Sequence, residues 1–365
     1  MNADKKMTGT TCGEGASPSF FPNKRGRGAR ATLNSETNHR RFAFHLRLSA
    51  CICGLLLSIC SLARGEFPTS QPYPGITYAH EARTDPPQSV YVITVDLADP
   101  NVTVRVAPGG ADPDGPGEWQ TTLMPVRDIA QREGFDVAVN ASYFAITRPK
   151  GAGEIAEEKA ERSGAPPTTM PATTAATKTT SDSPGYRAGV WSKTVGWAMT
   201  DGKLWSPEPR ASWPTFWIDA QSRGHLNDVD RVPSDARQIV QGNVWIVRDG
   251  KSVAPEGNAK VRHPRTLVGL DRNGTKLTLL TVDGRRPGVA IGMTGPEMAA
   301  EMVRLGCFEA INLDGGGSTT LVLRDPESGE LRVLNQPSDL RERPVADVIG
   351  ITIKRTPGAS EKPQP

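Results

Sequence analysis

Residues 262–286 read RHPRTLVGLDRNGTKLTLLTVDGRR. Two apolar, β-branched runs, RTLVGL and TKLTLLTV, flank DRNG, whose Asn273-Gly274 pair favours a tight turn, so the stretch predicts a β-hairpin. Such a hairpin puts its turn at one end. At the other it gathers Arg262, His263 and Arg265 with Asp283, Arg285 and Arg286. Immediately downstream, TGPEMAAEMVRLG (294–306) opens on Thr294 with Glu297 three residues later, a capping box. Met298, Met302 and Leu305 share one helical face and Gly306 ends the helix. These methionines read as core filling rather than as a metal or cofactor site. FEAINL (308–313) follows as a strand that delivers DGGGST (314–319), and STTLVL leaves that loop as a further strand.

The same grammar extends upstream. SVYVITVDLADPNVTVRVAP (89–108) predicts two strands joined as a hairpin around Asp99-Pro100-Asn101. TTLMPVRDIAQREG (121–134) has helical spacing at Val126, Ile129 and Ala130 with Gly134 as a stop, and FDVAVN (135–140) is a buried strand. TVGWAMTDGKLWS turns at Asp201-Gly202, and QIVQGNVWIVRDGKSV repeats the strand, Asp-Gly, strand pattern. The expected fold class is α+β: a single mixed domain over 75–355, strand-rich, with a few helices packed on it. Helix, Gly134, strand, Asn140 and helix, Gly306, strand, Asn312 share one spacing. Two readings stand, loops that begin alike at strand ends or a coincidence of ordinary helix-to-strand units.

Between Arg148 and Pro184 the character changes. This Thr/Ala/Pro-rich segment has little to bury against its ordering entropy, and reads as a disordered insertion (148–184) within the domain rather than a linker between two. Residues 356–365 read as a disordered tail. The 365 residues carry 37 Gly and 31 Pro, in keeping with many turns, and a net charge of +3 without a basic block beyond the N-terminus, which does not favour nucleic-acid binding. Four of the five cysteines fall in the first 60 residues. There, Arg40, Arg41 and Arg47 precede an apolar run from Leu48 to Cys60 and a small-residue exit, the order of a secretory signal. Residues 1–66 are therefore expected to be a signal peptide or leader, with a membrane partner only if the apolar segment stays uncleaved. The expected location is exported: periplasmic, cell-surface or secreted.

Asp314 at the end of an apolar strand is held by a rigid element, and Gly315, Gly316 and Gly317 let backbone N–H groups approach a ligand. A nucleotide P-loop does not fit, because no Gly-Lys-Ser/Thr follows and the next segment reads as strand. Arginine forks match phosphate oxygens, and carboxylates beside them suit proton transfer at a scissile bond; a surface ion-pair network is the bland alternative. Only His80, His225 and His263 remain after the leader, without zinc-ligand spacing, so zinc catalysis is not expected. No cofactor is expected, and the metal content is open, including a Ca2+ held by scattered oxygens.

HPRTLVGL, LLTVDGRRPGVAIGMTGPEMAAEMVRLGCFEAINLDGGGSTTLVL and ERPVADVIGI together resemble the phosphodiester glycosidase domain family, which includes N-acetylglucosamine-1-phosphodiester alpha-N-acetylglucosaminidases. The likeness is strong over 238–353 and weaker over 75–147 and 185–220. It implies an exported hydrolase of sugar-1-phosphodiesters in envelope or extracellular polysaccharide, acting on a glycan or sugar-phosphodiester partner. By that resemblance Arg265 and Arg285 sit at the phosphate. Asp283 and Asp314 are catalytic or sugar-binding carboxylates, and Asn140, Asn312, Gly315, Gly316, Gly317, Ser318 and Thr319 bind substrate. Where the family commonly has an Asn-Gly-Gly-Phe-Phe-like run, this chain has NASYF (140–144), so Ala141 and Ser142 reshape that side of the pocket. Two other functions remain open: a non-catalytic envelope module binding anionic glycan, and a phosphodiesterase cutting P–O.

Overall fold

The computed structural model describes residues 69–115, 117–147, 185–255 and 261–354. The leader, the 148–184 insertion and the 356–365 tail lie outside them. All strand pairings described are antiparallel. An eight-stranded sheet runs in the order β1 (Thr69–Tyr73), β2 (Ile76–Thr84), β3 (Pro87–Asp96), β17 (Lys276–Val282), β16 (Arg265–Leu270), β18 (Glu309–Asn312), β14 (Val244–Arg248), β15 (Lys251–Ser252). A five-stranded sheet runs β20 (Leu331–Val333), β19 (Leu321–Arg324), β6 (Val137–Asn140), β21 (Asp347–Ile353), β4 (Val102–Pro108). A second five-stranded sheet holds β10 (Lys203–Ser206), β9 (Ala198–Thr200), β13 (Ala236–Gln241), β11 (Thr215–Asp219) and β12 (Gly224–Asn227). The smallest has β5 (Thr121–Thr122), β8 (Trp191–Thr194) and β7 (Phe144–Ile146). Two α-helices are present among the described residues, α1 (Val126–Glu133) and α2 (Gly295–Arg304).

Side-chain alternation explains the layering. On β3, Tyr91, Ile93 and Val95 enter the large central cluster with Val104, Val106, Val137, Val139, Ile349 and Ile351 of the second sheet. Val90 and Val92 point the other way, with Leu267, Leu280 and Val282, onto Met298, Ala299 and Met302 of α2. Helix α1 covers the outer face of the second sheet with Val126, Ile129 and Ala130 against Phe135, Ala138, Val322 and Val348. Both main sheets are thus buried on two faces, which is why β16, β17 and β21 are nearly continuous apolar runs.

The 265–282 hairpin forms with Arg265 opposite Val282 and Leu270 opposite Leu277. Helix α2 has the Thr294–Glu297 capping box in full. The 89–108 expectation is overturned: β3 pairs with β2 and β17, while β4 pairs with β21 in another sheet. Asp99-Pro100-Asn101 is a turn that passes the chain between sheets, each strand being paired along its length in its own sheet. The α+β expectation is also too even-handed, the domain being mostly β-sheet with two helices on its outer faces. The first strand starts at Thr69, ahead of the boundary at 75. Strands β7 and β8, on either side of the insertion, pair with each other, so the chain returns beside the point where it left.

The shared helix-to-asparagine spacing proves to be part of a larger repeat. The strand order β17-β16-β18-β14-β15 matches β4-β21-β6-β19-β20, with α2 leading into β18 as α1 leads into β6. The registers correspond as well, since Leu267 faces Asn312 and Val348 faces Asn140. Gly269 and Gly350 are then equivalent, each backing onto the residue that follows a helix. A Cβ on Gly350 would lie 2.1 Å from the Phe135 ring, and one on Gly269 would lie 2.7 Å from Cys307 Sγ.

Candidate functional site

The two equivalent strand ends, Asn140 of β6 and Asn312 of β18, meet where the glycine loop begins. Leu313 N–H donates to Thr266 O (2.9 Å), Asp314 N–H to Ala141 O (2.9 Å) and Gly316 N–H to Pro264 O (3.0 Å). Asn140 Nδ2 donates to Asp314 O (2.7 Å), while its Oδ1 accepts from Thr266 Oγ1 (2.8 Å) and Thr320 N–H (3.2 Å). Asn140 is therefore a buried clamp on the loop. Asn312 Nδ2 donates to Tyr143 OH (2.9 Å) and Asn243 Oδ1 (3.0 Å).

After Asp314 the chain makes a single 3-10 turn, Gly316–Ser318, before β19. Gly316 has φ 65°, and a side chain there would meet the Arg285 guanidinium at 2.8 Å. The left-handed backbone favours glycine there. Gly315 N–H donates to Asp314 Oδ1 (2.9 Å), and Gly317 is buried beside Arg343. Ser318 and Thr319 are buried as well. Among the described residues the side-chain oxygens Asn312 Oδ1, Thr319 Oγ1 and Thr320 Oγ1 have no hydrogen-bond partner, while the Ser318 hydroxyl lies against the Asp314 carboxylate. Buried polar atoms are ordinarily satisfied, so this group sets the loop apart from the rest of the core.

The electrostatics are equally uneven. Arg262 is held by Glu297 (2.6 Å) and Arg343 by Asp339 (2.7 Å), with Arg343 also 4.2 Å over the Tyr186 ring. Arg265 and Arg285 form no ion pair among the described residues, although each feels the other's charge. Arg265 donates only to Met293 O (3.3 Å) and has its proton affinity lowered, first by burial. Arg285 adopts φ 60°, a left-handed conformation uncommon outside glycine. His263 is held neutral by burial and by these two arginines, with Nδ1 buried and unpartnered. No hydrogen bond joins it to Ser318 among the described residues.

Burial pushes the Asp314 carboxyl up to about 6, against the nearby Ser318 hydroxyl, the Gly315 amide and the Arg343 and Arg285 charges. The Tyr143 phenol is raised too, by burial and then by Asp314. Its ring meets Trp213 edge-on at 5.5 Å. Asp283 was expected as a catalytic or sugar-binding carboxylate. It is 2% exposed and accepts from Tyr91 OH (3.2 Å), Asn335 Nδ2 (3.1 Å) and Gln336 N–H (2.9 Å). With both oxygens engaged it braces the 335–336 segment. Asp283→Asn is accordingly expected to keep turnover within about tenfold of wild type while lowering Tm, measured by steady-state rates and thermal unfolding.

Tyr143, Asn243, Arg343 and Asp347 were not among the residues expected from sequence. Tyr143 stands in NASYF and Arg343 and Asp347 in ERPVADVIGI, where an acid inside an apolar strand was the available signal. Asp347 is fully buried, and accepts from Ser142 N–H (2.8 Å) and Ser142 Oγ (2.7 Å). Among the described residues no three His, Cys, Asp or Glu side chains are grouped to hold a metal ion.

The family model described as phosphodiester glycosidase matches residues 133–352 of the chain. The chain is 37% identical over 102 residues to the N-acetylglucosamine-1-phosphodiester alpha-N-acetylglucosaminidase of Bos taurus, covering 24% of this chain and 19% of that protein. It is 29% identical over 181 residues to the SPbeta prophage-derived uncharacterized protein YomE of Bacillus subtilis (strain 168), 46% of this chain and 27% of that one. The aligned parts therefore span under a third of either relative. A hypothetical protein from Synechocystis shares the fold, with a TM-score of 0.52 at 14% identity over 80% of this chain and 64% of its own.

Proposed function

Since the chain belongs to the phosphodiester glycosidase family, we propose that it is an exported hydrolase of sugar-1-phosphodiesters, N-acetylglucosamine-1-phosphodiester-like, in envelope or extracellular polysaccharide. The observation that carries this reading is the pair Arg265 and Arg285, which lack ion-pair partners among the described residues and stand beside the glycine loop and Asp314. A phosphodiester supplies the missing anion.

In this reaction water attacks the anomeric carbon, the C–O bond to the phosphate breaks, and its electron pair stays on the phosphate. The leaving group becomes a monoester with more negative charge than the diester, and the two arginine forks stabilise the increase. Because that leaving group is a stable anion, it needs little protonation. Ionised Asp314 takes the proton of the attacking water, and Asn140 and the Gly315 N–H hold it in place. The Tyr143 and Trp213 rings form an apolar wall on the sugar side.

The test is hydrolysis of an N-acetylglucosamine-1-phosphodiester by the full chain in 18O water. Label in the released sugar supports the proposal, whereas label in the phosphate would assign P–O cleavage. Binding without any release would leave a glycan-binding module. Turnover should also rise with pH, with a midpoint near 6. The Asp314 carboxyl retains its proton up to about 6, so the working carboxylate is lost as pH falls through that value. A kcat/KM profile that instead falls through 6 would make Asp314 a proton donor.

A further inference from the structure

The carboxylate of Asp347 has no role in the chemistry above, yet it is buried without a cation among the described residues. It is fully buried at the head of β21, and no lysine, arginine or histidine pairs with it among the described residues. Its only side-chain partners are the amide and hydroxyl of Ser142. Burying a lone carboxylate costs several kcal/mol unless it gives up its charge, and an apolar residue at this strand position would cost nothing of the kind. The equivalent position in the other half of the repeat is the uncharged Thr266.

The backbone shows what it faces. Ala141 N–H donates to Asp347 O (3.3 Å), and Ala141 O accepts from Asp314 N–H (2.9 Å). A single residue at the end of β6 thus separates the two aspartates. We propose that Asp347 is a positioning residue that shares charge with Asp314: the two carboxylates ionise as a pair, and Asp347 decides how readily Asp314 carries the negative charge used in turnover. The geometry allows either state. When Asp347 is ionised, Ser142 Oγ donates to Oδ2. When it is protonated, the Oδ2 hydroxyl donates to Ser142 Oγ and the Ser142 amide still serves Oδ1.

Several groups act on the pair. Asp314 has the Ser318 hydroxyl, the Gly315 amide and the Arg343 and Arg285 charges near it and acts in turn on Tyr143 and Asp347, whereas among the described residues Asp347 has Ser142 and the Asp314 charge. Burial pushes the Asp347 carboxyl up to about 6, with the Asp314 charge adding to the rise and the Ser142 bonds opposing it. Two groups titrating over the same range within mutual reach titrate as a unit.

The link to turnover rests on the proposed hydrolysis, but the coupling does not, so it is tested without substrate. The full chain labelled with 13C at aspartate carboxyls would be titrated by NMR, with Asp314 and Asp347 assigned from their asparagine variants. In wild type both signals should show two steps between about pH 4 and 8. In Asp347→Asn, which can keep both bonds to Ser142, Asp314 should titrate in one step about 1 unit lower. A single-step Asp314 curve in wild type would overturn the proposal whatever the variant does. So would an unshifted Asp314 in a folded Asp347→Asn. If turnover is present, its rising limb should move to lower pH by the same amount.

Discussion

Asp314→Asn is expected to lower turnover of a sugar-1-phosphodiester by about 10^3-fold or more, with Tm unchanged or raised. The substitution preserves shape: Asn Oδ1 can still accept from the Gly315 N–H (2.9 Å), and the main-chain bonds to Ala141 and Asn140 are untouched. What it removes is a partly desolvated negative charge near Arg285 and Arg343 that also acts on Asp347. Losing that charge relieves the burial cost and the repulsion from Asp347, so stability should not fall. Rates and thermal unfolding on the same preparation separate the cases. Turnover within tenfold of wild type would take Asp314 out of the reacting groups. A Tm lower by many degrees would make its role structural instead.

The largest expected effect on stability lies away from the chemistry. Gly350→Ala should lower stability by about 3 kcal/mol, since overpacking a dense core displaces its neighbours. At this domain size that is a fall in Tm of roughly 6–12 °C. A new Cβ would stand 2.1 Å from the Phe135 ring, which is 1% exposed and enclosed by α1 and β21. Phe135 opens the segment that leads through β6 to Asn140, so part of the displacement should reach the clamp on the glycine loop. Pairing Gly350→Ala with Phe135→Leu tests the cause. The double variant should be more stable than the sum of the two single changes predicts. Simple additivity would mean that the ring is not what the methyl group strikes.

How far the sequence could be read follows from how local each feature is. The 265–282 hairpin rests on Asn273-Gly274 and on the runs beside it. Helix α2 rests on Thr294 and Glu297, and α1 on three apolar residues and Gly134. Each was legible because neighbours in sequence supply the interaction. The 89–108 segment failed for the same reason in reverse: its turn is local, but β3 and β4 take partners nearly 200 and 250 residues away, such as Leu279 for Ile93 and Ile349 for Val106. Asp283 and Arg285 are neighbours in sequence, but the hydrogen bonds of Asp283 come from Asn335, Gln336 and Tyr91, which spacing does not show.

The chain's own order of residues was therefore enough for the hairpin, the capped helix, the glycine loop after an acid and the family to which these belong. Each depends on backbone preference and side-chain pattern within a few residues. Folding in three dimensions settled which charges are compensated. Arg262 and Arg265 look alike in sequence, yet one meets Glu297 and the other no carboxylate among the described residues; Asp283 and Asp314 look alike and both are raised by burial, yet one accepts from Asn335 and Gln336 and the other stands by the glycine loop near Arg285 and Arg343. Ionisation depends on distance and solvent access through space, and neither is written in the order of residues along the chain.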